Sequence, residues 1–363
     1  MYEIEVSSRS SSYEVHIETA LKMEITPNFI VILDSGVDLP YSLTPKQRKE
    51  LHRSTVTVVA SEKLKTLAGV ELILIELSKL KLARGQEIIA IGGGTVQDAV
   101  TLAASLYMRG IPWTYVPTTM MSMLDSCIGG KSSINVGEMK NLAGNFYPPR
   151  AILIDPLYTR TLDEVAIFAG LAEGAKICFA YSLEAFDNFL ILVENWRQSG
   201  EVKYLEELIG YTLKCKKHFI EVDEFDEGER RLLNFGHTYG HSLEAGTGFQ
   251  LSHGIAIAIG MLAAIDQSGQ VDSTVALSKF LKDGLLRIEG SWSHLNIDWK
   301  VVGESLLRDK KNSTIAQRLV LPHATGTLEI VEFPLNAESV NNSLCAIRAT
   351  LDSLAKLADK NKS

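Results

Sequence analysis

Three of the chain's eight histidines fall in one stretch, RRLLNFGHTYGHSLEAGTGFQLSHG, from Arg230 to Gly254. His237 and His241 stand four residues apart, and His253 follows twelve residues after His241. Two imidazoles at i and i+4 on a helix share a face and can share one metal ion. Arg230, Asn234, His237 and His241 are spaced by 4, 3 and 4, so a helix running from Glu229 onward would carry all four on one stripe. Leu232, Leu233, Phe235 and Tyr239 occupy its other faces, which suggests a stripe lining a cleft rather than facing bulk water. A metal held by His237 and His241 needs a further ligand. His253 is one candidate. Glu173, in the otherwise apolar AGLAEGAKI, is another, because a buried carboxylate is costly unless it is paired or bound to metal. The plainer alternatives are a Glu173–Lys176 pair within one helix and ordinary capping histidines.

A second constellation lies upstream. EIIAIGGGTVQDAV sets Gly92, Gly93 and Gly94 between an apolar strand and a helix, with Asp98 one turn in. Such glycines let backbone N–H groups approach a phosphate at a helix N-terminus, although a tight turn without ligand has the same look. Thr118 and Thr119 end the next apolar run, where ligands bind in an open α/β sheet. The Gly- and Pro-punctuated segment from Met123 to Pro149 then carries Asp125, Lys131, Lys140 and Asn141. Long loops in compact domains tend to be functional, and lysine suits phosphate as a compact point charge.

The elements that must position these residues are legible from apolar patterning. Short apolar runs at 28–36, 54–62, 87–94, 112–119 and 150–156 alternate with helical patterns at 63–82 and 95–110, which predicts a parallel α/β sheet. Long periodic segments at 161–182, 184–196, 201–222, 228–246, 253–268 and 274–286 predict a mainly helical second half. The fold class is therefore α/β: a Rossmann-like domain over residues 1–160 and an α-helical domain over 161–363. SSRSSS near the start reads as a turn or exposed loop. The 363-residue chain is 46% hydrophobic and 22% charged, with a net charge of −8, which argues against nucleic acid as a general partner. An anionic substrate then needs a local basic cluster. No apolar run is long enough for a membrane span, and the N-terminus has no apolar leader core, so a cytoplasmic protein is expected. Cys127, Cys178, Cys215 and Cys345 form no CxxC pair and read as reduced thiols.

Together the motifs resemble the sugar phosphate cyclases, most closely the 3-dehydroquinate synthase type. GGGTVQDAV, YMRGIPWTYVPTT, LDSCIGGK, KNLAGNFYPP, LAEGAK and RRLLNFGHTYGHSLE…SHG follow that family's order and spacing. The resemblance runs from about residue 28 to 330. Related metal-dependent alcohol and glycerol dehydrogenases share the architecture but lack the GGK and KN lysines.

The resemblance implies a bound NAD and a divalent metal, zinc or cobalt, with Glu173, His237 and His253 as metal ligands. His241 would then face the substrate as a proton-handling or anchoring group. NAD would contact Asp34, Glu62, Lys65, Gly93, Gly94, Asp98, Thr118, Thr119 and Asp125. Substrate positions would be Lys131, Asn141, Lys176, Lys216, Arg230, Asn234, His241 and Lys311, with Lys140 near the nicotinamide. Arg109 would reach a neighbouring subunit's phosphate site, which implies a homodimer. The implied activity is a phosphate-eliminating lyase acting on 3-deoxy-D-arabino-heptulosonate 7-phosphate in aromatic biosynthesis. Sister cyclases of other sugar phosphates, a polyol dehydrogenase and a silent binding protein are the competing readings. Met139, Gly174-Ala175 and Thr95-Val96-Gln97 depart from the family pattern without removing a charged or ligating group, as in a paralogue of a specialised pathway.

Overall fold

The computed structural model describes residues 2–9, 12–19, 29–39, 44–52, 54–137, 139–269, 271–309, 312, 314–323 and 325–362. It divides into two compact units, Met1–Leu162 with Ile191–Phe225, and Asp163–Leu190 with Asp226–Ser363.

The first unit is built on strands β1 (Tyr2–Val6), β2 (Tyr13–Ile17), β3 (Phe29–Asp34), β4 (Thr55–Val58), β5 (Glu87–Gly92), β6 (Trp113–Pro117), β7 (Ile134–Val136), β8 (Met139–Ala143) and β9 (Ala151–Ile154). Helices α1 (Pro45–His52), α2 (Leu67–Lys79) and α3 (Gly94–Leu106) connect them. Seven strands form one sheet in the order β1-β2-β9-β6-β5-β3-β4. Pairing is parallel from β2 through to β4, as the continuous apolar runs require. Ile88, Ala90, Ile91, Tyr115 and Val116 are fully buried. β1 and β2 form an antiparallel hairpin on the edge. Here the alternation of Ile4 and Val6 with exposed Glu3 and Glu5 marks a strand with one buried face. The turn expected at SSRSSS falls between these strands, with Ser10 and Ser11 outside the described residues.

The second unit holds α4 (Glu164–Tyr181), the first half of α5 (Leu183–Ser199), α7 (His237–Gly246), α8 (His253–Gln267), α9 (Val275–Arg287), α10 (Trp299–Leu307), α11 (Ala337–Lys362) and the antiparallel hairpin of β10 (Ala316–Pro322) and β11 (Leu328–Pro334). Every residue of α8 from Gly254 to Ile265 is buried, so α8 is the axis on which α4, α7, α9 and α11 pack. A helix that is apolar all round belongs in such a core.

A single cut at residue 160 does not describe this packing. The remaining helix, α6 (Val202–Val222), belongs with the first unit, where it packs on β1 and β2. The hairpin loop is fastened to its C-terminal end and the turn that follows: Ser7 N–H donates to Glu221 Oε1 (2.9 Å) and Arg9 N–H to Glu224 Oε2 (2.9 Å). Helical periodicity identified α6 as a helix but carries no information about which unit it joins. Among the described residues no helix is long and apolar enough to cross a membrane.

Candidate active site

In the first unit the glycine turn packs closely. A Cβ at Gly93 would meet Thr119 Cγ2 at 2.9 Å, and one at Gly92 would meet Val96 Cγ2 at 2.7 Å. Gly93 caps α3 with no side-chain hydrogen bond, so the first N–H groups of that helix are left to a ligand or solvent. Gln97 is buried and exchanges two 2.7 Å hydrogen bonds with Ser126, donating to its carbonyl and accepting from its hydroxyl. The departure at this position thereby ties the turn to the π-helical turn Ser122–Ser126. Thr119 Oγ1 bonds Ser122 Oγ at 2.9 Å, whereas the buried Thr118 Oγ1 has no partner among the described residues. Asp34 ends β3, and its Oδ1 accepts from Gly36 N–H at 3.1 Å.

The segment expected as a long loop contains the hairpin β7–β8. Lys140 lies on β8 and pairs with Glu62 at 3.3 Å. Asn141 adopts a left-handed backbone (φ 53°), and its Oδ1 accepts from Lys65 Nζ at 2.9 Å. Lys65 also pairs with Asp98 at 2.7 Å, and Asp98 accepts from Ser133 N–H at 2.9 Å. Burial pushes the Asp98 carboxyl up, and Lys65 opposes it. For Glu62, burial also pushes upward, but the Asn135 hydrogen bond and Lys140 outweigh it and hold the carboxyl low. Lys131 sits over the Phe146 ring at 5.9 Å. Lys216 reaches from α6 to Asp125 Oδ1 (2.7 Å) and to the carbonyls of Asp125 and Ile128. Burial pushes the neighbouring Cys127 thiol up to about 12, so it stays protonated and is no nucleophile. Arg109 is exposed at the end of a short turn in which Met108, Arg109 and Gly110 all have positive φ (48°, 68° and 120°).

The second unit does not carry the predicted single stripe. Glu229–Asn234 is a 3₁₀ turn, and α7 begins only at His237. Gly236 breaks the helix with φ 78°, and a Cβ there would meet Met261 N at 2.7 Å and Ile257 O at 2.9 Å. Backbone-to-backbone contact between α7 and α8, and not a continuous helix, sets the histidines. A Cβ at Gly260 would lie 2.1 Å from Gly236 O. Arg230 is buried on the 3₁₀ turn and Asn234 is half-buried at its end.

His237 opens α7 and His253 opens α8, and His241 follows His237 by one turn. One ring nitrogen from each of the three lies within 4.8 Å of the others. Second interactions fix two of the rings. His237 Nδ1–H donates to Phe235 O (3.2 Å), and His253 Nδ1 bonds Glu244 Oε2 (3.2 Å), so each ring is oriented through its Nδ1. Burial lowers the basicity of His253, but Glu244 and Glu173 outweigh it and its pKa is raised.

Glu173 is fully buried on α4. Its Oε2 accepts a hydrogen bond from Lys176 within the same helix. Its Oε1 has no hydrogen-bond partner among the described residues and lies 3.5 Å from His253 Nε2. Three imidazoles converge here, and a buried carboxylate oxygen without a hydrogen-bond partner lies beside one of them, His253; such nitrogen and oxygen donors suit a divalent cation such as zinc, so the residues fit a metal. Lys311 lies outside the described residues. Sequence reasoning missed Glu244 and Asn135. Both act on site residues through side-chain contacts that no local pattern encodes.

This pairing of a parallel-sheet unit with a helical one is the fold of the sugar phosphate cyclases. A solved 2-deoxy-scyllo-inosose synthase, complexed with carbaglucose-6-phosphate, NAD+ and Co2+, superposes with a TM-score of 0.77 at 21% identity, covering 96% of this chain and 100% of its own. The 2-epi-5-epi-valiolone synthase of Streptomyces hygroscopicus, with NAD+ and Zn2+ bound, superposes with a TM-score of 0.77 at 23% identity, covering 96% of this chain and 98% of its own. The models of the 3-dehydroquinate synthase N-terminal and C-terminal regions match residues 55–169 and 170–312. The curated 3-dehydroquinate synthase of Helicobacter pylori is 33% identical over 336 residues, 91% of this chain and 95% of its own. The chain belongs to the 3-dehydroquinate synthase family.

Proposed function

We propose that the chain is a phosphate-eliminating carbon–oxygen lyase that cyclises 3-deoxy-D-arabino-heptulosonate 7-phosphate to 3-dehydroquinate, with NAD and zinc or cobalt as cofactors. The reaction belongs to the shikimate route of aromatic amino acid biosynthesis. The observation that carries the reading is the hairpin that presents Lys140 and Asn141 and is bonded to Glu62 and Lys65 beside the glycine turn. An acidic chain that gathers cations next to a nucleotide loop is equipped for a phosphate, which a polyol dehydrogenase has no need to hold.

When bound, NAD supplies a hydride acceptor that ends unchanged, and the cation supplies a Lewis acid. Glu173, His237 and His253 hold the cation. The Oε1 of Glu173 supports this set, because a cation satisfies a buried oxygen that otherwise accepts no hydrogen bond among the described residues. Asp34, Glu62, Lys65, Gly93, Gly94, Asp98, Thr118, Thr119 and Asp125 hold the nucleotide, with Lys140 near its nicotinamide. Arg230 and Lys216 bind the substrate carboxylate. Lys131, Asn141, Asn234 and His241, together with Lys311, bind its phosphate and keep it oriented as it leaves, and His241 handles a proton there. Lys176 holds Glu173 in place through its hydrogen bond to Oε2. These roles are positioning and electrostatics, which is what an elimination followed by ring closure asks of a protein. Arg109 contributes to a second subunit's phosphate site in a cytoplasmic homodimer.

The test is to incubate metal-loaded protein and catalytic NAD with the heptulosonate phosphate, sedoheptulose 7-phosphate and glucose 6-phosphate in turn. Release of inorganic phosphate without net NADH from the first supports the proposal. Release only from another sugar assigns a sister cyclase, and net NADH from a simple polyol assigns a dehydrogenase.

A further inference from the structure

Asn135, on β7, is 9% exposed and bonds through its backbone N–H and through both ends of its side-chain amide. Its backbone N–H donates to Lys65 O at 2.7 Å, next to Thr66, the N-cap of α2. Its side-chain Nδ2 donates to Glu62 Oε2 at 2.6 Å, and its Oδ1 accepts from the backbone N–H of Asn141 at 3.0 Å. The other oxygen of Glu62 pairs with Lys140 at 3.3 Å. Asn135, Glu62, Lys140 and Asn141 therefore close a ring. One side consists of residues read as nucleotide-binding, and the other of residues read as substrate- and nicotinamide-binding. Asn141 has φ 53°, a conformation that residues other than glycine keep only where surrounding bonds hold them.

The chemistry at position 135 is narrow. It must offer a donor to a carboxylate and an acceptor to an amide from one planar group, which among short side chains asparagine alone does. The orientation of the amide is fixed by its partners, because a carboxylate only accepts and a backbone N–H only donates.

We propose that Asn135 is a positioning residue. It locks the Lys140–Asn141 strand to the Glu62–Lys65 turn, so that nucleotide and substrate groups are set by one amide. This rests on the cyclase reading given above. The donor arm to Glu62 acts on the nucleotide side, and the acceptor arm to Asn141 acts on the substrate side. The two arms are separable. Asn135→Ala removes both. Asn135→Asp keeps the oxygen that accepts from Asn141 and replaces the donor by a carboxylate that repels Glu62.

The experiment measures the NAD dissociation constant by calorimetry, the KM for sugar phosphate at saturating NAD, and amide hydrogen exchange across β7 and β8, for both variants. In Asn135→Ala, NAD affinity and KM each worsen about tenfold, the size of one lost hydrogen bond per arm. Exchange over residues 139–143 quickens while zinc binding is kept. In Asn135→Asp, NAD affinity falls by a similar factor but KM returns towards the parent value. A residue that merely supported the fold would move the two parameters together in both variants, and that outcome overturns the proposal. So does unchanged exchange over 139–143 in Asn135→Ala, a measurement that needs no turnover. Failure of the cyclase reading would instead appear in the parent protein, as absent NAD binding or absent phosphate release, and the exchange result would still decide the role of Asn135.

Discussion

The nucleotide-side hairpin and the histidine cluster are organised in opposite ways. Around the hairpin, Glu62, Lys65, Asp98, Asn135, Lys140 and Asn141 come from distant stretches and are held by one another's side chains, with Glu62 and Asn141 solvent-exposed. In the cluster, backbone packing does the holding. Gly236, Gly240 and Gly260 let α7 and α8 touch, and the first residue of each helix is a histidine. A site held by side chains can lose one bond and keep its fold, whereas a site held by backbone contact fails with its helices. The difference predicts where mutation is graded and where it is abrupt.

The abrupt case gives the largest effect. Gly260→Val puts a branched side chain where a Cβ alone would lie 2.1 Å from Gly236 O. Neither backbone can give way cheaply, so we expect destabilisation of at least about 3 kcal/mol, read by denaturant unfolding, with loss of zinc binding. A stable, zinc-binding Gly260→Val protein would mean that the cluster does not depend on this contact. Lys131→Ala comes next. The lysine is half-buried over Phe146 and is no part of the core, so the protein should fold and bind NAD while turnover falls by about a thousandfold. Near-normal phosphate release would remove Lys131 from the site. Glu244→Gln is the gentlest, because it weakens the hydrogen bond that orients His253 without touching the helix contact. Zinc affinity, measured by chelator competition, should drop about 10- to 100-fold with little change in melting temperature.

The same division explains what the sequence made legible. The parallel strands and the helical second half follow from apolar periodicity, which is a local property, and apart from the segment expected over 228–246 the expected helices lie within a few residues of the observed ones. Gly236 is where local reasoning failed. Spacing of 4, 3 and 4 predicts one stripe, but a left-handed glycine in close contact with α8 splits it into a 3₁₀ turn and a helix. Contact with α8 is a long-range fact. The β1–β2 hairpin was written in the alternation EIEV and YEVHI, yet the serines between drew attention to a loop. The pairing of α6 with the first unit, the grip of Glu244 on His253 and the ring through Asn135 depend on tertiary contacts and had no local signal.

The assignment on which the account turns is the division of labour among the three histidines. Their ring nitrogens converge within 4.8 Å, so proximity alone would allow all of them to bind metal. The Oε1 of the buried Glu173, which accepts no hydrogen bond among the described residues, argues for a carboxylate ligand, and the proposal sets His241 toward the substrate. Zinc content by elemental analysis of His237→Ala and His241→Ala, purified side by side, tests this directly. His237→Ala is expected to lose its zinc, while His241→Ala keeps close to one per chain and loses rate. Equal loss of zinc from both variants would contradict the assignment and restore His237 and His241 as a joint metal pair.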